Sequence, residues 1–309
     1  MINNLFIFAA ALFMVIKGAA LAAKYAVRLA EIHRLSKYAV GFIIVAVISI
    51  LPEASVSINS AFRGDSSFGL GVLFGTSIAD MTLIVAIVIF LAGRGLKVES
   101  GILKNHAAYP FILLLPLVLG FNGHFSRLEG IALIITGGVF YYLTLRNGID
   151  GSKPPNKSNG RFKSSLMLLF SMAVLLIGSH FTVTSATSLA DYIGVSPILI
   201  GMLIVGLGMT MPEFFFSLKS VKKHDDSLAV GDILGTVLAD ATIVVGIIAL
   251  VNPFFFPQKI IYITGAFMVA VSFILFRFMR SGRAISKREA YMLLAFWAAF
   301  AIVEFMANT

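Results

Sequence analysis

The sequence predicts an all-α polytopic membrane protein of ten transmembrane helices, arranged as two inverted five-helix repeats. Three observations predict it: apolar stretches of bilayer length, a gapless internal repeat at 160 residues, and basic residues confined to alternate connections. The 309-residue chain is 59% hydrophobic and 13% charged, with a mean hydropathy of +0.95. That composition excludes a soluble globular domain. Zero cysteines exclude disulfides and thiolate metal sites. The net charge of +9 does not indicate nucleic acid, because the basic residues sit in short connections and form no basic domain with an aromatic platform.

Apolar spans of about 20 residues are expected at 3–23, 38–62, 68–92, 106–122, 126–146, 164–188, 197–218, 227–251, 257–277 and 287–307. The first lacks a basic n-region and has a repeat counterpart at 164–188, so it is read as a body helix and not as a cleaved signal. GIDGSKPPNKSNGR (Gly148 to Arg161) has the Gly, Pro, Ser and Asn content of a flexible linker. It divides the chain into a first repeat at 1–147, a linker at 148–162 and a second repeat at 163–309. Five spans per half carry the chain across the membrane an odd number of times, so the second half enters from the opposite side and the repeat is inverted. Lys and Arg number 20 in the connections after spans 1, 3, 5, 7 and 9, against three in the opposite set (Arg63, Arg127 and Lys259). The positive-inside rule then places both termini outside the cytoplasm and the linker within it.

Moving back 160 residues from Pro212, Glu213, Ser217, Gly231, Gly235, Thr236, Ala239, Asp240 and Thr242 lands on Pro52, Glu53, Ser57, Gly71, Gly75, Thr76, Ala79, Asp80 and Thr82. Four carboxylates thus recur pairwise inside spans, Glu53 with Glu213 and Asp80 with Asp240. An ionisable group at membrane depth is costly and marks a functional site. Each Glu follows a proline that breaks or kinks its helix, which is expected to free backbone oxygens such as the Gly208 carbonyl. Thr210 and Ser217 share a helical face with Glu213, and Thr236 lies one turn before Asp240. The result is a set of hard oxygen donors suited to Ca2+, with Na+ able to use the same hydroxyls and carbonyls. A purely structural role for the acids would call for neutralising bases, yet no intramembrane Lys or Arg recurs at both repeat positions.

These motifs resemble the alpha repeats of the cation/calcium antiporter superfamily, nearest its prokaryotic sodium/calcium exchangers, which read approximately G-x-G-T-S-x-P-E followed by G-N-x-x-G-S-N-x-x-N or -D. The resemblance covers GLGMTMPE (Gly206 to Glu213) and GDILGTVLAD (Gly231 to Asp240), with AVISILPE and GVLFGTSIAD in the first half. It implies a secondary-active antiporter exchanging Ca2+ for Na+ by alternating access, in a prokaryotic inner membrane, with spans 1 and 6 sliding past the helices that hold the ions. It also implies Glu53 and Glu213 as central Ca2+ ligands, Asp80 and Asp240 beside them, and Thr76, Thr236, Ser49 and Thr210 completing the Ca2+ and Na+ sites.

Several positions depart from the family pattern. Ile50 and Met209 each replace a hydroxyl, Asp80 stands where the first repeat commonly has Asn, and Val72 and Asp232 replace the usual Asn pair. The role of Asp232 stays open. Two carboxylates about 5 Å apart repel by about 3 kcal/mol at an effective dielectric of about 20, so one or two of the four hold a proton when no cation is bound. That keeps H+/Ca2+ antiport as the alternative to Na+ coupling. A cation channel and an intramembrane aspartyl protease built on Asp80 and Asp240 are the other classes considered. A site enclosed within one pseudo-symmetric chain disfavours the first, and protease dyads require no matched Glu pair. The expectation is therefore a non-enzyme without cofactor, whose partners are the bilayer and its transported ions, with no obligatory protein partner.

Four further features carry weaker readings. GVLFG and GDILG are expected to serve helix packing. Lys17 is expected to snorkel toward the inner interface, and His180, where the family often has Asp, to be packed or to line a cavity. Glu304 is expected near the outer end of the last span.

Overall fold

A computed structural model describes residues 2–33, 35–62, 64, 66–99, 108–148, 160–192 and 206–308. Most of the linker (149–159), the first part of the seventh span (197–205), and Arg63 and Lys104 lie outside the described residues. The helices are α1 (Ile2–His33), α2 (Lys37–Ala39), α3 (Ala46–Ser49), α4 (Leu51–Phe62), α5 (Ser66–Ala79), α6 (Val85–Ala92), α7 (Tyr109–Ile112), α8 (Leu115–Leu119) and α9 (Arg127–Asn147). They continue with α10 (Arg161–Tyr192), α11 (Gly206–Met209), α12 (Met211–Lys222), α13 (Asp226–Leu238), α14 (Val245–Val251), α15 (Ala266–Arg280) and α16 (Lys287–Asn308).

Among the described residues, eight helices are long and apolar enough to cross a membrane. The two of the ten expected spans that are absent from this set have local causes. The fourth is a shorter apolar segment, Tyr109–Asn122, where Pro110 and Pro116 each restart the helix. The seventh is described only from Gly206 onward.

The 160-residue offset recurs in local structure. Ser126 and Glu129 form a capping box at the start of α9, with the Ser126 amide donating to Glu129 Oε2 at 2.7 Å; Ser286 and Glu289 repeat it at α16 with the same 2.7 Å bond. Among the described residues, four π-helical turns interrupt the spans, at Val40–Val45, Asp80–Ile84, Ala239–Val244 and Ile260–Gly265. In the two that carry Asp80 and Asp240, a threonine hydroxyl bonds back one turn: Thr82 Oγ1 donates to the Ile78 carbonyl at 2.5 Å and Thr242 Oγ1 to the Leu238 carbonyl at 2.6 Å.

Two short antiparallel ladders close the molecule. Strand β1 (Leu96–Lys97) pairs with β4 (Ala284–Ile285), and β2 (His124–Phe125) pairs with β3 (Phe254–Phe255). At the β1–β4 end, Arg94 grips Asp226 through Nη1 at 2.6 Å and Nη2 at 2.5 Å, and the Lys97 amide donates to Asp226 Oδ2 at 2.8 Å. The Asp226 hydrogen bond raises the Arg94 guanidinium above its ordinary value, keeping it cationic. Lys37 pairs with Asp225 on the same turn. These ties fix the α12–α13 turn to the ends of α2 and α6.

Helix α13 is buried along its whole length and packs against α2, α3 and the Val40–Val45 turn. Gly231 and Gly235 make this approach: a Cβ at either would run into backbone of Tyr38 or Phe42. The packing role expected for GDILG therefore holds for its two glycines. At Gly71 and Gly75 no comparable neighbour stands within 4 Å among the described residues. Helices α1 and α10, each 32 residues, are about 48 Å long at 1.5 Å per residue. Each exceeds the hydrocarbon core of about 30 Å and must tilt or project beyond it. They pack against each other, with Gly18 set against Leu175 and Gly178 against Ala11, Met14 and Val15. Gly18 and Gly178 are 160 residues apart, a matched pair that the sequence reading missed.

Candidate ion-binding site

The two Pro-Glu segments have the same backbone. Helix α3 ends at Ile50 (φ −70°, ψ −4°) before α4, and α11 ends at Thr210 (φ −80°, ψ 3°) before α12. Pro52 and Pro212 then occupy the second position of the new helices, where a missing amide costs least. The chain stays helical across each break, since the Ala54 amide donates to the Ile50 carbonyl at 2.8 Å and the Phe214 amide to the Thr210 carbonyl at 3.0 Å. Pro212 has no amide proton to give the Gly208 carbonyl, while Gly208 as a residue does not stand without partners.

Helix α4 packs against the Ala239–Val244 π-turn, and α12 against the Asp80–Ile84 π-turn. Each broken helix thereby sets its Glu toward the Asp of the other half. Glu53 lies within electrostatic range of Asp240, Asp80 and Asp232, and Glu213 within range of Glu53, Asp80 and Asp232. Asp80 acts on Asp232 and Asp240 as well, so its charge reaches each of the other four acids. All five carboxylates are fully buried, as are Ser49, Thr210 and Thr236 at 0% exposure and Thr76 at 2%.

Among the described residues, both oxygens of Glu53, Asp80, Glu213 and Asp240 lack a hydrogen-bond partner, and so do Asp232 Oδ2, Thr236 Oγ1 and Ser217 Oγ. Buried polar atoms are almost always satisfied. An anionic set left open in this way, with no base paired to it among the described residues, has the chemistry of a site whose partner is a cation. The side chains are not drawn together: among the described residues no three acids stand in the geometry of a metal centre. An occupied site would call for the carboxylates to converge.

The predicted hydroxyls divide. Thr236 Oγ1 is unpartnered. Thr76 Oγ1 donates to the carbonyls of Val72 at 3.0 Å and Leu73 at 3.2 Å, and Thr210 Oγ1 to that of Leu207 at 3.0 Å. Those two keep only lone pairs for an ion, which is the half a cation uses. Ser49 Oγ donates to Asp232 Oδ1 at 3.3 Å, joining to the cluster the acid whose role the sequence left open. Tyr109 Oη donates to the Leu234 carbonyl at 2.7 Å and Tyr141 Oη to the Gly235 carbonyl at 2.8 Å. The two tyrosines tether α13.

The weaker candidates lie elsewhere. His180 is exposed and rests against Phe181 at 5.6 Å between ring centroids, which overturns the packed placement. Lys17 is exposed, its Nζ 5.3 Å from the ring centre of Phe13, one turn nearer the N-terminus. Glu304 accepts from Thr264 Oγ1 at 3.0 Å.

A family profile described as sodium/calcium exchanger protein matches residues 3–146 and 163–306. The chain is 24% identical to the sodium/calcium exchanger MaX1 of Methanosarcina acetivorans, with 98% of each protein covered. It is 25% identical to the inner membrane protein YrbG of Escherichia coli over 69% of each. Its fold superposes on the sodium-calcium exchanger NCX_Mj, soaked with 2.5 mM Na+ and 1 mM Sr2+, with a TM-score of 0.87 at 21% identity and 98% coverage of both chains. With both halves matched by the profile, this integral membrane protein belongs to the sodium/calcium exchanger family.

Proposed function

We propose that the protein is a secondary-active antiporter that moves Ca2+ across the membrane in exchange for Na+ by alternating access. The observation that carries this reading is the buried set of Glu53, Glu213, Asp80 and Asp240, whose eight oxygens lack partners and which is built twice, once from each half. Glu53 and Glu213 are the central Ca2+ ligands. Asp80, Asp240, Thr76, Thr236, Ser49 and Thr210 complete the Ca2+ and Na+ positions. The relatives' names, with sodium and calcium in them, favour Na+ as the coupling ion. A second reading, H+/Ca2+ antiport, is favoured by Asp80 and Asp232, since each adds a protonatable group to the same buried set.

The test is 45Ca2+ uptake into proteoliposomes driven separately by an outward Na+ gradient and by a pH gradient. Uptake with the first alone establishes Na+ coupling, and with the second alone H+ coupling. Absence of counter-ion dependence in both would leave a channel.

The architecture that suits this function is ten helices in two inverted five-helix repeats, 1–147 and 163–309, joined by a cytoplasmic linker at 148–162. Support comes from the ladders: residues 124–125 and 284–285 are repeat equivalents, yet they lie in different sheets, each paired with a strand of the other half. Inverted halves put equivalent strands at opposite membrane faces. Helices α1 and α10 are the elements suited to sliding, because they pack on one another and leave many large apolar side chains, such as Phe6, Phe13, Leu169 and Phe170, open to lipid.

Single cysteines placed at Asn3, Ser152 and Thr309 in this cysteine-free chain report the orientation. Those at 3 and 309 are expected to react with an impermeant maleimide from outside the cell, and that at 152 only after permeabilisation. The reverse pattern sinks the inverted arrangement.

A further inference from the structure

The geometry points to Asp232 as a fifth carboxylate ligand of the cation site, forming with Ser49 and Thr236 a hard-oxygen subsite for an alkali or alkaline-earth cation that the first repeat lacks. The inference rests on the antiporter reading above and extends its ligand set. Its basis is an asymmetry in an otherwise matched structure. One hundred and sixty residues before Asp232 stands Val72, whereas Thr236 and Asp240 are matched by Thr76 and Asp80. The extra charge is therefore not required by the helix packing common to both halves.

Asp232 lies at 0% exposure on α13, within electrostatic range of Asp80. Its Oδ1 accepts from Ser49 Oγ at 3.3 Å, a long bond that fixes the direction of the carboxylate without satisfying it. Its Oδ2 has no partner. One helical turn further along the same face, Thr236 is also at 0% exposure and its Oγ1 is unpartnered. The symmetry-related Thr76 is different, because both of its contacts are to carbonyls of its own helix. The second half therefore presents a carboxylate oxygen and a hydroxyl, both buried and both open, where the first half presents a valine and a back-bonded threonine.

A buried carboxylate within range of Asp80, Glu53 and Glu213, with no base paired to it among the described residues, is stabilised by a cation or a proton. The hydroxyls of Ser49 and Thr236 offer lone pairs that serve a hard cation. A purely structural Asp232 would have both oxygens tied by donors, as Asp226 has at the β1–β4 end.

The test uses the purified full-length protein in detergent, with equilibrium 45Ca2+ binding, displacement by Na+, and thermal unfolding in the absence of both ions. In Asp232→Asn, which keeps the shape and the Ser49 contact, the affinity for at least one of the two ions is expected to fall by more than about fivefold. Thr236→Ala is expected to weaken the same ion. Ion-free Asp232→Asn should unfold no lower than the parent, because removing one of several like charges relieves repulsion. Ca2+ and Na+ affinities both within fivefold of the parent overturn the inference. So does a loss of affinity in Asp232→Asn that comes with a lower ion-free unfolding temperature and unchanged binding in Thr236→Ala. Glu53→Gln separates the two claims. If it binds Ca2+ like the parent, the antiporter site itself is wrong; if it loses Ca2+ while Asp232→Asn does not, only Asp232 is excluded.

Discussion

Glu53→Gln and Glu213→Gln are each expected to lower gradient-driven 45Ca2+ uptake by at least about a hundredfold while inserting and folding normally. The amide keeps the size of the side chain and removes one charge, and metal affinity in oxygen sites is set largely by ligand charge. Each Glu is fully buried, and neither oxygen has a well-formed hydrogen bond among the described residues, so the amide disturbs at most a local contact with the Glu's own backbone and stability should hold. Elution volume and helical signal check folding; uptake in proteoliposomes checks function. Near-normal uptake in either well-folded variant would place the ion site elsewhere. Equal losses in the two would fit equivalent roles across the repeat, as the matched backbone at Ile50 and Thr210 implies.

Much of this site was legible in the sequence because membrane burial makes charge conspicuous. Four acids in apolar spans, repeated pairwise at a fixed offset, mark the residues, and the proline before each Glu marks the helix breaks. The π-turns at Asp80–Ile84 and Ala239–Val244 were not legible. A π-bulge adds one residue to a turn without changing composition, and only the back-bonding Thr82 and Thr242 offered a hint. The matched close approach of Gly18 and Gly178 was missed for another reason: small residues are common in membrane helices, so only their equivalence at 160 residues sets them apart. The breaks in the described part of the fourth span, Tyr109–Asn122, were not legible because its hydropathy is continuous across Pro110 and Pro116, and hydropathy does not register a missing amide. Asp232 was noticed as a charge, but its distance from the Pro-Glu break in sequence hid the contact with Ser49.

Asp80→Asn is expected to weaken Ca2+ binding by about tenfold, the loss of one ligand charge from the set, and to make the remaining binding less sensitive to acid. Asp80, like Glu53, lies within electrostatic range of all the other acids of the cluster. It is also where the exchanger pattern commonly has Asn in the first repeat, so the substitution restores the family residue and should be accepted by the fold. The sign of the pH effect follows from repulsion. In the parent, crowded carboxylates favour taking up protons, and protons therefore displace Ca2+ as pH falls; with one negative charge fewer, the same displacement needs a lower pH. Both its oxygens are buried and unpartnered, so the amide replaces no existing hydrogen bond. Ca2+ dissociation constants measured from pH 5 to 9 in parent and variant check both parts. The expected result is a weaker plateau at high pH together with a later loss on acidification. Superimposable curves would remove Asp80 from the ion site, and a weaker plateau with an unshifted acid limb would make it a Ca2+ ligand that takes no part in proton competition.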